Sequence, residues 1–269
     1  MISESEKLRF EMICRDQMLT PRRDGEGIGT LCEKRLHSII KKFIAPESED
    51  HEVVLRERMG GDQKRPKYVA DLLIGNTAYE VQTGSFFPMR KKIAYYLENT
   101  DLDVVIIHPI AYEKWVNWLD PNSRDTVQRN KRKAHGKPTD VAAELYWILP
   151  YINNERLSIR LMMLGVEEYR FLSGWGNGGK RGSERYELIP TKLYDIVKLE
   201  LAEDYSIFIP DALGEQFTVP EYEKLSKIRG KAAYSAVKAL CALGLVKECG
   251  MRGRAKLYEK IEMADLSEN

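Results

Sequence analysis

The chain has 269 residues, of which 43% are hydrophobic and 31% charged, and its formal net charge is +1 at pH 7. This composition predicts a folded globular protein of one or two domains and excludes an overall basic field, so nucleic acid would have to be recognised by local patches. The four cysteines have neither zinc-site nor disulfide-framework spacing, and neither a signal peptide nor a membrane-spanning stretch is evident, so we expect a cytoplasmic protein without a membrane partner.

The first half of the chain alternates between predicted helices and strands. Residues 1–27 are interpreted as a charged lead-in. The pattern then predicts a helix over 30–44, strands over 51–55, 67–73 and 78–82, a helix over 89–97, and a buried strand over 103–108 that is bounded by Pro109. Gly75-Asn76 is a favourable two-residue turn for the hairpin in the middle of this series. This order of elements predicts an α/β fold.

The second half is predicted to end in a separate small domain. A basic loop over 129–137, a helix near 141–148, a strand over 157–164 and a loop over 174–179 precede a predicted helix over 190–202 that would link two domains. Two helices, beginning near residue 217 and at Lys231, and two short strands over 245–248 and 255–259 then form the order of a winged helix-turn-helix. We therefore predict an α/β domain over 1–200 and a winged helix over 201–269.

Two carboxylates of the predicted hairpin carry the main chemical hypothesis. With Gly75-Asn76 as the turn, Asp71 lies directly opposite Glu80, with Cβ atoms about 5 Å apart. Opposed like charges are unfavourable unless something compensates them, and a hard divalent cation such as Mg²⁺ would do so. Gln82 lies on the same face of the hairpin, and Glu33 lies on the apolar face of the preceding predicted helix.

Simpler interpretations of these residues remain open. Glu33 is three residues after Thr30 and could close a capping box at the start of its helix. Asp71 and Glu80 could be a solvated pair on an exposed sheet face, and a different turn would separate them.

The joint pattern resembles the PD-(D/E)XK nuclease superfamily, in which a helix with an acidic residue precedes a strand, a strand with Asp, a strand with Glu-x-Lys, a helix and a strand. The resemblance covers roughly residues 28–110 and implies a restriction-endonuclease-like mixed central sheet flanked by helices. It implies that Asp71, Glu80 and the Val81 carbonyl bind Mg²⁺ or Mn²⁺, and that Glu33 supports them. The whole chain, with Glu80-Val81-Gln82 and its C-terminal tail, also resembles an uncharacterised bacterial protein family with the same pairing.

One departure from the superfamily concerns the positive charge of the site. Gln82 stands where the superfamily usually has Lys, and Gln cannot stabilise charge on a phosphate as a cation can. Lys91 or Lys92 on the next predicted helix could supply that charge, although both also fit a basic solvated helix face.

Two basic segments are candidate nucleic-acid contacts. Residues 129–137 hold five cations and no acid, and residues 224–260 hold ten cations and two acids, whereas residues 203–223 hold six acids and no cation. Cations of these segments could contact phosphates or DNA grooves. The predicted contacts are Lys131, Arg132, Lys133, Arg229, Lys231, Lys238, Arg252, Arg254 and Lys256. The alternatives are a solvated loop for the first segment and a protein-binding winged helix for the second.

These features together predict a metal-dependent nuclease acting on duplex or branched DNA. Cutting both strands usually needs two sites, so a homodimer is a further expectation. Two alternatives stay open: a catalytically inactive nuclease-like protein that binds DNA, and an enzyme that acts on RNA.

Overall fold

The structure is a computed structural model that describes residues 2–19, 28–55, 68–133, 135–172, 183 and 185–261, with the backbone alone at residues 19, 28–34 and 48. Six α-helices occur in this part of the chain: α1 Glu4–Leu19, α2 Ile28–Ile44, α3 Arg90–Asn99, α4 Ala142–Leu145, α5 Val219–Ser226 and α6 Lys231–Ala242. Among the described residues, no helix combines the length and the apolar character needed to cross a membrane.

Ten strands accompany these helices. They are β1 His51–Val54, β2 Val69–Ile74, β3 Thr77–Val81, β4 Asp103–Leu119, β5 Thr126–Lys131, β6 Leu157–Phe171, β7 Arg185–Leu199, β8 Gln216–Thr218, β9 Val246–Arg252 and β10 Ala255–Lys260. Seven form one mixed sheet in the order β1-β2-β3-β4-β6-β7, with β5 paired to β4, and the other three form a sheet in the order β8-β10-β9. The large sheet is flanked by helices, so the α/β prediction is confirmed.

The chain divides into two compact units that are not continuous in sequence. The first comprises residues 1–74, 109–137 and 162–197, and the second comprises residues 75–108, 138–161 and 198–269. The predicted boundary near residue 200 between an α/β domain and a winged helix stays a prediction.

In the first unit, α1 corrects the prediction that the N-terminal residues are only a charged lead-in. Phe10 and Cys14 are buried, and the Phe10 ring meets the Phe43 ring of α2 edge-on at 5.3 Å between centroids. Arg9 donates a hydrogen bond of 2.7 Å to the Phe43 carbonyl. The apolar residues of α1 do not lie on one face, since Leu8, Met12 and Met18 are exposed, so the sequence shows no helical periodicity in this segment.

The first unit also corrects the prediction of a linker helix over residues 190–202. Most of that segment belongs to β7, a strand of 15 residues. Thr191, Tyr194, Ile196 and Val197 are β-branched or aromatic, and such residues pack well on a pleated surface. The proline at position 190, which suggested a helix start, lies within the strand instead.

Strand β4 is longer than the predicted strand over residues 103–108. It continues through Pro109 to Leu119, and its last part pairs antiparallel with β5, so that Trp115 lies opposite Lys131 and Asn117 opposite Arg129. The predicted basic loop over 129–137 is therefore wrong for its first residues, which form the end of a strand. Hydrogen bonds between backbones, which do not depend on side-chain polarity, hold this strand.

In the second unit, β3 and the beginning of β4 pair in parallel, with Glu80 beside Ile106 and Val81 beside Ile107. A parallel pair needs a crossover connection, which here contains α3. The predicted turn at residues 75 and 76 is confirmed as a turn, and Gly75 has a φ of 58°, a left-handed conformation that glycine adopts without a steric penalty. The crossover from β3 to β4 places the end of β3 next to the start of α3.

The C-terminal residues of the second unit form two helices and a small sheet. Thr218 and Glu221 make a capping box at the start of α5, with the Thr218 N–H donating to Glu221 Oε2 at 2.7 Å. Behind it, the Tyr222 hydroxyl donates to the Phe208 carbonyl at 2.9 Å, and β9 and β10 form an antiparallel hairpin. The two predicted helices and the predicted hairpin are therefore present, and their arrangement as a winged helix stays a prediction.

Candidate metal and nucleic-acid sites

Glu80 is a buried carboxylate that is held from α3. Its residue is 4% exposed, the Lys92 ammonium lies 2.5 Å from Oε2, and the Tyr96 hydroxyl donates to Oε1 at 2.7 Å. Lys92 and Tyr96 are one helical turn apart and therefore reach the same side of α3. A buried carboxylate needs such partners, because an uncompensated charge is expensive to remove from water. Of the two lysines Lys91 and Lys92, it is Lys92 that contacts Glu80, whereas Lys91 is exposed.

Asp71 has its own partner in the first unit. The His37 Nε2–H donates to Asp71 Oδ2 at 3.1 Å, and both side chains are half-buried. His37 lies on α2 four residues after Glu33. The side chain of Glu33 lies outside the described part of the chain, so the structure bears only on its backbone, which is helical as predicted. Asp71 and Glu80 belong to different units, and the predicted register between them stays a prediction.

Gln82 and Val81 occupy the exit of β3. Val81 is buried at the last position of the strand, and the Gln82 side-chain amide donates to the Ser85 carbonyl at 2.6 Å. The Gln82 carbonyl accepts a hydrogen bond of 2.7 Å from His108 Nδ1. Gln82 therefore organises the loop between β3 and α3 with its side chain and its backbone together.

His108 and Glu144 complete the support of this loop. Burial lowers the pKa of His108 below its ordinary value, although its bond to the Gln82 carbonyl and the charge of Glu144 act in the opposite direction. The Glu144 carboxylate accepts the Phe86 N–H at 2.8 Å, and the Phe86 ring meets the His108 ring edge-on at 5.3 Å. A neutral imidazole with its proton on Nδ1 suits the carbonyl acceptor.

The donor types around the predicted site suit Mg²⁺ or Mn²⁺. Carboxylates and a backbone carbonyl are the oxygen ligands that such cations prefer. Among the side chains that the structure describes, no group of three or more His, Cys, Asp or Glu is placed to hold a metal ion. Glu33, the third predicted carboxylate, is not among those side chains.

A second buried carboxylate, Glu168, lies in the first unit and was not predicted. It is 1% exposed and forms ion pairs with Lys114 of β4, with Arg170 of β6 at 2.9 Å and with Arg185 of β7 at 2.6 Å. Burial alone would raise the pKa of Glu168, but Arg170, Lys114 and Arg185 lower it to about 2. This cluster therefore fastens three strands together and needs no ligand to explain it.

The basic segment at β5 is partly neutralised. Lys131 pairs with Glu113 at 3.0 Å, and this interaction lowers the pKa of Glu113. Arg129 pairs with Glu167 and stacks over the Trp115 ring, 4.2 Å from its centroid. Two further predicted contacts, Arg132 and Lys133, are exposed, and neither makes an ion pair with another described residue.

Some of the predicted C-terminal cations form ion pairs with described residues, and others form none with them. Arg252 pairs with Glu221 at 2.8 Å, and Lys256 and Lys238 both approach Glu248, at 2.9 and 3.9 Å. The remaining predicted contacts make no ion pair within the described chain. These are Arg229, Lys231 and Arg254. The acids before residue 224 thus cancel part of the positive charge that the linear sequence concentrates after it.

Comparison with known proteins places the chain in one family. A family model described as "Domain of unknown function (DUF8091)" matches residues 34–200, which is more than half of the chain. The chain belongs to this family. Its matched residues include Asp71, Glu80, Gln82 and Lys92. No curated protein and no solved structure matches the chain.

Around Asp71, Glu80 and Gln82, four partner residues were not anticipated from the sequence. They are His37, Tyr96, His108 and Glu144. His37 and Tyr96 had a usable signal, since each stands four residues after a singled-out residue on a predicted helix. Glu144 had none, because it is distant in sequence from the loop that it holds.

Proposed function

We propose that this protein is a metal-dependent nuclease that hydrolyses phosphodiester bonds in DNA, with a restriction-endonuclease-like domain and a C-terminal winged helix, and that it acts in the cytoplasm. The observation that carries the proposal is the contact between Lys92 and Glu80 at 2.5 Å. It supplies, beside the predicted metal-binding carboxylate, the positive charge that Gln82 lacks.

The proposed roles follow from the chemistry of each group. Asp71, Glu80 and the Val81 carbonyl are the oxygen donors, and Glu33 is their support on α2. A divalent cation bound there would neutralise phosphate charge and lower the pKa of a bound water. The Lys92 ammonium would add charge stabilisation for the phosphate. His37 orients the Asp71 carboxylate through its 3.1 Å hydrogen bond, and Gln82 keeps the loop after β3 in shape.

The C-terminal elements support DNA as the partner. Their order of α5, α6 and the β9–β10 hairpin matches a winged helix, in which the second helix and the hairpin approach the duplex. Arg229 and Lys231 stand at the start of α6, and Arg254 stands at the hairpin tip, without ion pairs to other described residues. We include a homodimer in the proposal, because two sites are needed to cut both strands together.

A second candidate function is a non-catalytic DNA-binding regulator. The observation that favours it is that both carboxylates already have partners within the protein: His37 for Asp71, and Lys92 and Tyr96 for Glu80. If the site has lost its catalytic activity, these hydrogen bonds and this ion pair only stabilise the fold.

The experiment that separates these candidates is a cleavage assay with Mg²⁺ or Mn²⁺ on duplex, branched and single-stranded DNA and on structured RNA. Wild type is compared with Asp71→Asn, which keeps the size of the side chain, and with Asp101→Asn as a control at an exposed aspartate. We expect metal-dependent cutting that Asp71→Asn abolishes and Asp101→Asn preserves. Absence of both cutting and metal binding in wild type would favour the regulator, and cutting of RNA alone would favour an RNA-directed enzyme.

A further inference from the structure

A cleft in the second unit lies between residues 142–148, which comprise α4 and the 3₁₀ turn after it and are called the α4 segment, and the beginning of α6. Its volume is about 600 Å³, and its lining includes Glu144, Tyr146, Trp147, Lys231 and Tyr234. Sites for small organic groups commonly have volumes of about 300–1,000 Å³, so the cleft can accept a group of nucleobase size. None of its lining residues was assigned to the proposed metal site.

Aromatic rings stand exposed on both walls of this cleft. Tyr146 is 47% exposed on one wall, and Tyr234 is 45% exposed on the other. Trp147 is half-buried beside Tyr146, with their ring centroids 5.3 Å apart. Large aromatic rings that two separate elements expose to solvent indicate a binding surface for a flat apolar group.

The aromatic surface continues from the cleft to the loop after β3. The Phe87 ring, 44% exposed, meets the Trp147 ring at 4.7 Å between centroids, and the Arg90 guanidinium lies 4.1 Å above the Phe87 ring. Arg90 begins α3, the helix that also carries Lys92. The aromatic track therefore runs from α6 to the helix that holds Glu80.

Cations that can contact phosphate stand along the track. Lys231 lines the cleft, and Arg90 stands at the opposite end. Lys238, which also approaches Glu248, lies 5.7 Å from the centroid of the Tyr234 ring, and the carboxylate of Glu144 in the lining accepts the Phe86 N–H. Aromatic rings that alternate with cations are the means by which proteins bind single-stranded nucleic acid, since every unpaired base offers a face for stacking. Bases within an intact duplex are already stacked on each other and cannot use such rings.

We propose that this cleft binds an unpaired base of a single-stranded nucleic-acid segment, and that the aromatic track from Tyr234 to Phe87 leads that strand towards α3. This inference rests on the proposed function, because it specifies which form of nucleic acid the proposed nuclease binds. It predicts substrates with an unpaired stretch, such as branched or tailed DNA.

The test measures binding in EDTA, so that cleavage plays no part. Labelled oligothymidylate and a labelled duplex are titrated with wild type, Tyr146→Leu and Tyr146→Phe. Leu keeps apolar bulk without a π-face, and Phe keeps the ring. We expect Tyr146→Leu to bind oligothymidylate roughly 10-fold more weakly, with duplex affinity unchanged and with Tyr146→Phe equal to wild type.

A second measurement uses the tryptophan fluorescence of the wild-type protein. A base stacked beside Trp147 should quench its fluorescence, so oligothymidylate should quench wild type more than Trp147→Phe. Failure of oligothymidylate to bind or quench, or equal binding by Tyr146→Leu, overturns the inference. Metal-dependent cutting of duplex DNA would survive that result, whereas single-strand binding without any cutting would retain the inference and reject the nuclease.

Discussion

The residue at position 82 carries no charge, and the positive charge near Glu80 comes from another element. Gln82 follows Glu80 of β3 at the position where the proposed nuclease resemblance expects a lysine, and its side-chain amide donates to the Ser85 carbonyl at 2.6 Å. The ammonium nearest to that glutamate comes from α3, where Lys92 lies 2.5 Å from Glu80. A side chain on a neighbouring element can thus deliver a charge to the place where the local motif lacks one.

This arrangement predicts different outcomes for two adjacent lysines. We expect Lys92→Met to lower metal-dependent cleavage about 100-fold or more, the usual effect of removing a group that stabilises charge in the transition state. Lys91→Met, at an exposed position one residue away, should cut like wild type. The measurement is the single-turnover cleavage rate of each purified variant.

Stability has to be measured beside activity, because Lys92 also compensates a buried carboxylate. Tyr96→Phe removes the other hydrogen bond to Glu80 without removing charge, and should cost about 1 kcal/mol of unfolding free energy while most of the activity remains. Equal cutting by Lys92→Met and wild type would contradict a catalytic role for Lys92.

Among the elements, β4, β6 and β7 are held together by one carboxylate. Because the pKa of Glu168 is about 2 in the folded chain and ordinarily 4.5, the unfolded chain binds the proton more readily. The stability from Glu168 is therefore complete above about pH 4.5 and is lost as pH falls towards 2. Its size is on the order of 1–3 kcal/mol, reduced from the full shift because the partner cations are partly exposed.

Substitution of this carboxylate should change the acid unfolding of the protein. We expect Glu168→Gln to be less stable than wild type at pH 7, because three cations lose their partner, and to lose less stability between pH 4.5 and pH 2. The measurement is the free energy of urea unfolding at several pH values. Glu167→Gln, at the more exposed neighbouring residue, is the control, and identical pH profiles for wild type and Glu168→Gln would reject the assignment.

The C-terminal helices and hairpin show how folding redistributes charge. If these elements form a winged helix that binds DNA, as proposed, the cations without ion pairs to described residues should carry the affinity. We expect Arg229→Ala with Lys231→Ala to weaken duplex binding and to lower the salt dependence of log K by about 1 for each phosphate that the variant no longer neutralises. Lys247→Ala with Lys260→Ala removes two cations that pair with Glu259 and Glu215, and should change little. Titrations at several salt concentrations measure both effects.

At the scale of the whole molecule, the C-terminal part is packed into the second unit rather than appended to it. Helix α6 contacts α4, and the α4 segment buries Ala142, Leu145 and Ile148. We expect a chain ending at residue 200 to expose these side chains, at a cost of about 1.5–3 kcal/mol for each large one, and to unfold at a lower temperature or aggregate.

The full-length protein is the control. Calorimetry and size-exclusion chromatography would measure both chains. A chain ending at residue 200 that folds with wild-type stability would support independent domains with the boundary predicted from the sequence.

The sequence alone determined those features that depend on local periodicity and turn chemistry. These include the α/β class, the turn at Gly75, the helix after Pro88, the strand that begins at Asp103 and the elements of the C-terminal region, where apolar spacing and glycine positions are strong. It failed at α1, because the apolar residues of that helix do not recur on one face, and at β7, because Pro190 suggested a helix start despite the β-branched residues after it. For the candidate site, the sequence supplied the carboxylates and the alternatives of Lys91 and Lys92.

Only the tertiary structure decided which of those charges meet. Lys92 rather than Lys91 reaches Glu80, Glu144 holds a loop 58 residues away in sequence, and the acids before α6 neutralise cations of the hairpin. It also placed Tyr146 and Tyr234 on opposite walls of one cleft. The physical reason is that electrostatic and stacking interactions depend on distance in space, and contacts between distant segments leave no periodic trace in the linear sequence.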